Sequence, residues 1–282
     1  MNHPYSGKEA AFATMHKKEE IAAPVFAELH VSLRVPPNIN TDEFGTFTGE
    51  TKRKQTPLET ARLKARLGMK QLGLPYGLAS EGSFGPCRYF PFVGEDCEIF
   101  LWMDEILGIE IHEQVISTST NFSSAAVPSL EKAEFFLTQA SFPSHSLIVR
   151  PNQLTEPVFY KGICRKRELE EAIAACTAIS KDGLALIQTD MRAHHNPMRQ
   201  KVIQEAARKL VKRMGSLCPQ CGCPGWGVSK TVRGLPCELC HFPTAMVKEE
   251  IFSCKGCTYT RMTERSDGKK KAGAMYCDSC NP

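Results

Sequence analysis

Four Cys-x-x-Cys pairs crowd the end of this chain: Cys218/Cys221, Cys237/Cys240, Cys254/Cys257 and Cys277/Cys280. No other feature limits its folding as strongly. Two close-set thiolates cover one edge of a tetrahedral zinc ion, and a second pair completes it. The spacings C-x2-C-x15-C-x2-C and C-x2-C-x19-C-x2-C fit two zinc ribbons in tandem, Cys218 to Cys240 and Cys254 to Cys280. Spacing alone also allows Cys237/Cys240 to join Cys254/Cys257. A four-thiolate site has no open position and cannot activate water. The pairs therefore predict two structural zinc ions and place the chemistry elsewhere. Cys223 is a ninth thiol in this region. It reads as an ordinary small residue of its knuckle, with a substitute ligand as the alternative.

A disulfide framework would need an oxidising compartment. The N-terminal stretch MNHPYSGKEAAF lacks the apolar core of a secretory signal. No apolar run approaches the roughly 18 residues of a membrane span. The expectation is a cytoplasmic protein without membrane contact, where such cysteines hold metal. A redox dithiol is the remaining alternative, but it uses one pair at a helix N-terminus and not four in series.

Charge is uneven. Residues 1–200 carry 21 Lys/Arg against 24 Asp/Glu, and residues 201–282 carry 14 against 7. That surplus suggests nucleic-acid binding. Eight thiolates around two zinc ions reduce it to about +3. The basic run Lys269-Lys270-Lys271 reads as a solvated hairpin tip, and Trp226, Phe242, Phe252 and Tyr259 read as small ribbon cores. Nucleic acid stays open as a partner through the ribbons.

Strands alternating with helices predict an α/β fold, a mixed sheet with helices on both faces, over residues 1–214. Tandem ribbons follow over 215–282. Strands are expected at 9–15, 30–35, 76–80, 97–103, 108–117, 145–151 and 184–189. Helices are expected at 17–29 with Pro24 as a blemish, and at 57–72, 129–140, 166–180 and 198–214. Thr56 and Glu59 have the spacing of a capping box at the start of helix 57–72. The four-residue connection between 97–103 and 108–117 adds a hairpin, which makes the sheet mixed.

Three segments fall at the ends of neighbouring elements: Thr14–Lys18, Thr56–Ala65, and the stretch from Ala79 through Glu81-Gly82. Ligands of α/β sheets bind beyond the carboxyl ends of strands. A hydroxyl, helix-start amides and a lysine make a phosphate cradle. Two carboxylates from different elements suit Mg²⁺. Taken singly, Glu59 is a cap, Glu81 a turn residue, and Lys18 and Lys64 are solvated helix positions.

The order of these segments resembles the inosine/xanthosine triphosphate pyrophosphatase superfamily. There, T/S-x-N-x-K follows the first strand, a helix carries T-x-x-E-N-A-x-x-K-A, and a later strand ends in an acidic, glycine-containing turn. Thr14, His16 and Lys18 match the first motif, with His for Asn. Thr56, Glu59, Ala61, Lys64 and Ala65 match the second, with Thr60 for Asn, and Glu81-Gly82 resembles the turn. The resemblance covers about the first 90 residues. The later family signatures G-F-G-Y-D-P and S-H-R-x-x-A are missing. The whole layout also resembles an uncharacterised bacterial family with a ribbon tail, which implies no activity.

The resemblance implies an ITPase-like fold and a Mg²⁺-dependent pyrophosphatase acting on a nucleoside triphosphate. Glu59 and Glu81 would hold the metal, with a carboxylate as base, and Lys18 would neutralise phosphate. Thr14 and His16 would contact phosphate or sugar, and Arg53 and Lys54 would close over the triphosphate. Asp104 and Glu105 are spare carboxylates. A second polar segment, Thr189 to Arg199, offers Asp190, His194 and Asn196 as metal ligands or acid/base groups, and Arg192 and Arg199 as a phosphate clamp. Its bland reading is a helix start capped by Asn196, with Pro197 first in the helix. Two rival functions remain: a ribbon-bearing nucleic-acid-binding or RNA-processing protein, and a non-catalytic adaptor on a degenerate hydrolase fold. A homodimer is kept open.

Overall fold

The computed structural model describes residues 3–45, 55–87, 90–155 and 158–282. The chain starts with β1 (Glu9–Ala13), α1 (Lys18–Phe26) and β2 (Ser32–Arg34). Pro24 lies inside α1 and removes one helical donor. The helix tightens into a 3-10 turn at Ala27–Leu29 and stops at His30, φ 54°. Next come α2 (Pro57–Leu72), β3 (Tyr76–Pro86), β4 (Gly94–Asp104) and β5 (Ile109–Ser117). In α2 the capping box is present in both directions, Pro57 fills the first turn, and Gly73 at φ 64° ends the helix.

These five strands form one sheet in the order β2-β1-β3-β4-β5. β1 is parallel to β2 and β3, and β3-β4-β5 are antiparallel. Side chains alternate across it. One face presents Phe12, Leu78, Phe100, Trp102 and Ile111 to α1 and α5 (Pro197–Gly215). The other presents Ala11, Ala79, Leu101 and Met103 to Ala61, Ala65 and Met69 of α2. Helices thus cover both faces, as expected.

The expectation of a single sheet is corrected. Residues between β5 and α5 build a second one from β6 (Ser124–Val127), β7 (Leu147–Pro151), β8 (Tyr160–Ile163) and β9 (Ala185–Thr189). Its order is β6-β9-β7-β8, all antiparallel. α3 (Glu134–Gln139) and α4 (Lys166–Ile179) pack on it around Leu147, Val149, Leu169, Ile173 and Ile187. β6 and β8 have four residues each. Such short runs carry too little alternation to stand out in sequence. β3 also departs from expectation. It runs on through Glu81 and Gly82, read as a turn, to Pro86, because it pairs residue by residue with β4.

Asn196 fastens the two sheets together. Its side chain accepts from Arg199 N at 3.0 Å as the N-cap of α5, and its Nδ2 donates to Asn121 Oδ1 at 2.8 Å. Asn121 Nδ2 in turn donates to Ala140 O at 2.9 Å. All of this is buried, so these polar groups satisfy one another.

The last part of the chain holds β10 (Gly227–Arg233), β11 (Val247–Ser253) and β12 (Thr260–Glu264), an antiparallel three-stranded sheet. Among the described residues, no helix is long and apolar enough to cross a membrane.

Candidate functional site

The eight paired cysteines gather into two sets whose ligand atoms lie within 4.8 Å of one another: Cys218, Cys221, Cys254, Cys257 and Cys237, Cys240, Cys277, Cys280. Both pairings expected from spacing are corrected. The first pair joins the third and the second joins the fourth, so the sites interleave and are not tandem ribbons. Sulfur separations are 3.9 Å for Cys218–Cys257, 3.6 Å for Cys221–Cys254, 3.9 Å for Cys237–Cys280 and 3.5 Å for Cys240–Cys277. A tetrahedron with Zn–S bonds of about 2.3 Å has edges of about 3.8 Å. Disulfide sulfurs would stand at about 2.05 Å. The geometry fits two structural zinc ions.

Local structure prepares the thiolates. Burial opposes ionisation of Cys254, but amides of Gly256 and Cys257 donate to its sulfur at 3.2 and 3.3 Å and bring the thiol down to about 6. The first two knuckles share one shape. Cys218 N donates to Cys223 O and Cys237 N to Phe242 O, both at 2.9 Å. Gly222 and His241 take the same left-handed turn, φ 72° and 62°. The position of Cys223 therefore corresponds to that of Phe242. Cys223 packs against the core of the first sheet, whereas Phe242 is exposed.

Arg213, near the end of α5, secures the first cluster. It donates to Gly225 O at 2.7 Å and Val228 O at 2.9 Å and pairs with Glu113 at 3.4 Å. Trp226 stacks on Tyr259 at 5.3 Å, with Phe252 at 6.0 Å. These rings are the small core expected, except Phe242.

A second concentration of charge lies inside the first sheet. Register puts Ser80, Gly82 and Phe84 of β3 beside Phe100, Glu98 and Asp96 of β4 on the face covered by α1 and α5. Lys18 Nζ donates to Ser80 Oγ at 3.0 Å and stands 3.7 Å from Glu98 Oε2. Arg199 Nε donates to Glu98 Oε1 at 2.6 Å, its Nη1 donates to Met191 O, and its guanidinium lies 5.1 Å above the Phe84 ring. A Cβ at position 82 would strike both Arg199 and Glu98, so glycine there makes room for the pair. Burial pulls the Lys18 ammonium down to about 8, against the opposing pull of Glu98. Burial pushes Asp96 up to about 7, with Glu98 adding to the effect. Glu98 itself is held below its ordinary value, because Arg199 and Lys18 outweigh its burial.

Lys64 and Glu81 pair on the opposite face, beneath α2. Glu59 is exposed, and its Oε2 accepts from Thr56 N at 2.9 Å and Thr56 Oγ1 at 2.8 Å. Five residues separate Glu59 from Lys64, about 7.5 Å of rise and about 140° of turn. The structure therefore does not bring Glu59 and Glu81 together as one pair of metal ligands. Asp104 is bound by Tyr5 Oη at 3.1 Å and Leu107 N at 2.9 Å. It faces Tyr76, five residues along β3 from Glu81, or about 17 Å. Arg53 and Lys54 lie outside the described residues.

The second polar segment does meet the first. Thr14 is buried at the end of β1. Beyond it, His16 stacks on His194 at 5.5 Å, and His194 lies 4.0 Å from His195. His195 Nδ1 lies 3.1 Å from Ser146 Oγ. Arg192 is held by Asp190 through bonds of 2.6 to 3.2 Å, and Asp190 also accepts from Gly162 N at 3.2 Å. Burial lowers His194 to about 4, with His195 and His16 contributing.

Asp96 and Glu98 belong to no site expected from sequence, whereas Arg199, expected as a phosphate clamp of the second polar segment, lies against Glu98 in the first sheet. A signal was present: Trp102, Phe100, Glu98 and Asp96 alternate along one strand face, so its apolar inner side turns acidic.

A family model described as Domain of unknown function (DUF6671) matches residues 64–282. No curated protein and no solved structure matches the chain. The family match starts at Lys64, past most of the residues behind the pyrophosphatase resemblance, and lends that resemblance no support.

Interleaving has a direct signature in metal content. Cys221→Ser with Cys254→Ser should cost one of two zinc ions, and Cys221→Ser with Cys240→Ser should cost both, by elemental analysis. Tandem ribbons would give the reverse. For His194, stability tied to its neutral form is complete above the ordinary 6.5 and declines as pH falls toward about 4. His194→Gln should therefore lose less stability than wild type over that window, read from urea unfolding at each pH.

Proposed function

We propose that this chain, which belongs to the DUF6671 family, is a Mg²⁺-dependent hydrolase that splits a nucleoside triphosphate into a monophosphate and pyrophosphate. One observation carries the reading: three cations from three helices, Lys18, Lys64 and Arg199, are buried around residues 80–82 of β3. Cations are rarely buried without a task or a partner. Here Glu81 and Glu98 balance them, close to the carboxyl end of β1, where α/β sheets take ligands.

In this reading water adds across the α–β phosphoanhydride. Lys18 and Arg199 draw off charge as it builds on the phosphates. A carboxylate on the face of Lys18 and Arg199 takes the proton from the attacking water, while Glu81 on the other face holds Lys64. Thr14 and His16 contact phosphate or sugar, and His194 and Arg192 approach from the second sheet. Glu59 contributes through the helix cap, since its carboxylate is already engaged by Thr56. Mg²⁺ would supply charge neutralisation at the phosphates. The cysteine clusters are structural.

A second reading has its own support. On the second cluster, Phe242 and Tyr276 are 59% and 50% exposed, and Lys269 Nζ lies 5.7 Å over the Tyr276 ring. Exposed rings beside lysines suit single-stranded nucleic acid.

Zinc-loaded protein assayed against normal and deaminated nucleoside triphosphates should release pyrophosphate from at least one. Lys18→Met should lower kcat/KM by about 10²-fold or more, and Glu59→Ala should leave it within a few-fold. No release from any nucleotide, with no saturable binding, would sink the reading and leave an adaptor. The nucleic-acid reading predicts RNA or DNA affinity that falls steeply with salt; flat or absent binding rejects it.

A further inference from the structure

Three carboxylate oxygens on the inner face of β4 have no hydrogen-bond partner among the described residues: Asp96 Oδ1, Asp96 Oδ2 and Glu98 Oε2. Both residues are fully buried. Leaving one buried acceptor unsatisfied is costly, and leaving a whole carboxylate so is more costly. Lys18 and Arg199 answer the charge of Glu98. Among the described residues, no hydrogen bond or ion pair answers Asp96, even though it borders the same cluster. The two carboxylates sit two residues apart on one strand, so they share a face. Phe84 lies opposite Asp96 on β3, under the Arg199 guanidinium.

We propose that Asp96 and Glu98 form a binding site for a divalent cation of the Mg²⁺ or Mn²⁺ type. Hard cations take oxygen ligands, and Mg²⁺ characteristically uses one or two carboxylates, with waters and phosphate oxygens completing the shell. The donor set here is two carboxylates and no nitrogen or sulfur, which separates it from the thiolate sites that suit zinc. Lys18 and Arg199 stand beside the site and would meet the phosphates of a metal-bound polyphosphate. The site rests on the hydrolase reading for its purpose, but not for its existence. It takes over the role that the sequence assigned to Glu59 with Glu81.

The test uses the full zinc-loaded chain with Mn²⁺ and no nucleotide, followed by titration calorimetry and by the Mn²⁺ electron paramagnetic resonance signal. Wild type should bind one Mn²⁺ per chain, and Mg²⁺ should compete for it. Asp96→Asn keeps the side-chain shape and breaks no hydrogen bond, so its zinc content should stay at two and its fold intact. Its Mn²⁺ affinity should fall at least tenfold. Saturating Mg²⁺ should raise the melting temperature of wild type but not of Asp96→Asn. Wild type that binds no Mn²⁺, or Asp96→Asn that binds it as wild type does, would overturn the site. The two ideas fail separately. Mn²⁺ binding lost in Asp96→Asn alongside no hydrolysis of any nucleotide keeps the site and removes the hydrolase. Hydrolysis with unchanged Mn²⁺ binding in Asp96→Asn does the opposite.

Discussion

The ion pair between Glu98 and Arg199 is the interaction on which the first sheet's arrangement depends. Both side chains are fully withdrawn from water. Breaking a pair of this kind leaves an uncompensated charge and costs about 3–5 kcal/mol. The pair dictates much around it. Position 82 must lack a side chain, so that Arg199 can lie against the sheet. The first turn of α5 must start where it does, and Asn196 fixes that start by capping Arg199 N. Since Asn196 also holds Asn121, the same turn sets the second sheet against the first. A charge cluster in the core thereby governs the meeting of two subdomains.

What could be read from the sequence was what local chemistry decides. α2 formed over the expected residues because cap, proline and glycine all act within one helical turn of its ends. The Cys-x-x-Cys pairs marked metal sites because each knuckle is local. Their pairing was not legible. It depends on which strand runs beside which, and spacing along the chain contains no record of that. β3 illustrates the same limit. Glu81-Gly82 looks like a turn in isolation, and only β4 alongside makes it strand. Glu59 shows the converse. Its capping chemistry was evident from spacing, and the structure adds that the cap engages the carboxylate expected to bind metal.

The two ends of the candidate site contrast electrostatically. Inside, Lys18, Arg199, Glu98 and Asp96 interact in a medium that screens poorly, so burial and neighbouring charges shift the ionisation of Lys18, Asp96 and Glu98. Toward the second sheet, His16, His194 and His195 form a stack in which burial and mutual proximity keep His194 uncharged. A neutral imidazole both donates and accepts hydrogen bonds. The region therefore joins a charged floor in the first sheet to a neutral rim toward the second.

The interleaved cysteine clusters have a mechanical consequence. β10 leads from the first cluster toward the second, β11 returns, and β12 leads out again. Each strand runs between the two cysteine clusters, which fix its ends in register even though most of β10 and β12 faces water. Seven residues of strand span about 23 Å. One end is bolted to the body of the protein through Arg213, and the other carries Phe242, Leu239 and Met275 outward. The module behaves as a strut, held by its end fittings and by the small ring core beside the first cluster. Substitutions along its shaft can vary freely while the distance to its tip stays fixed.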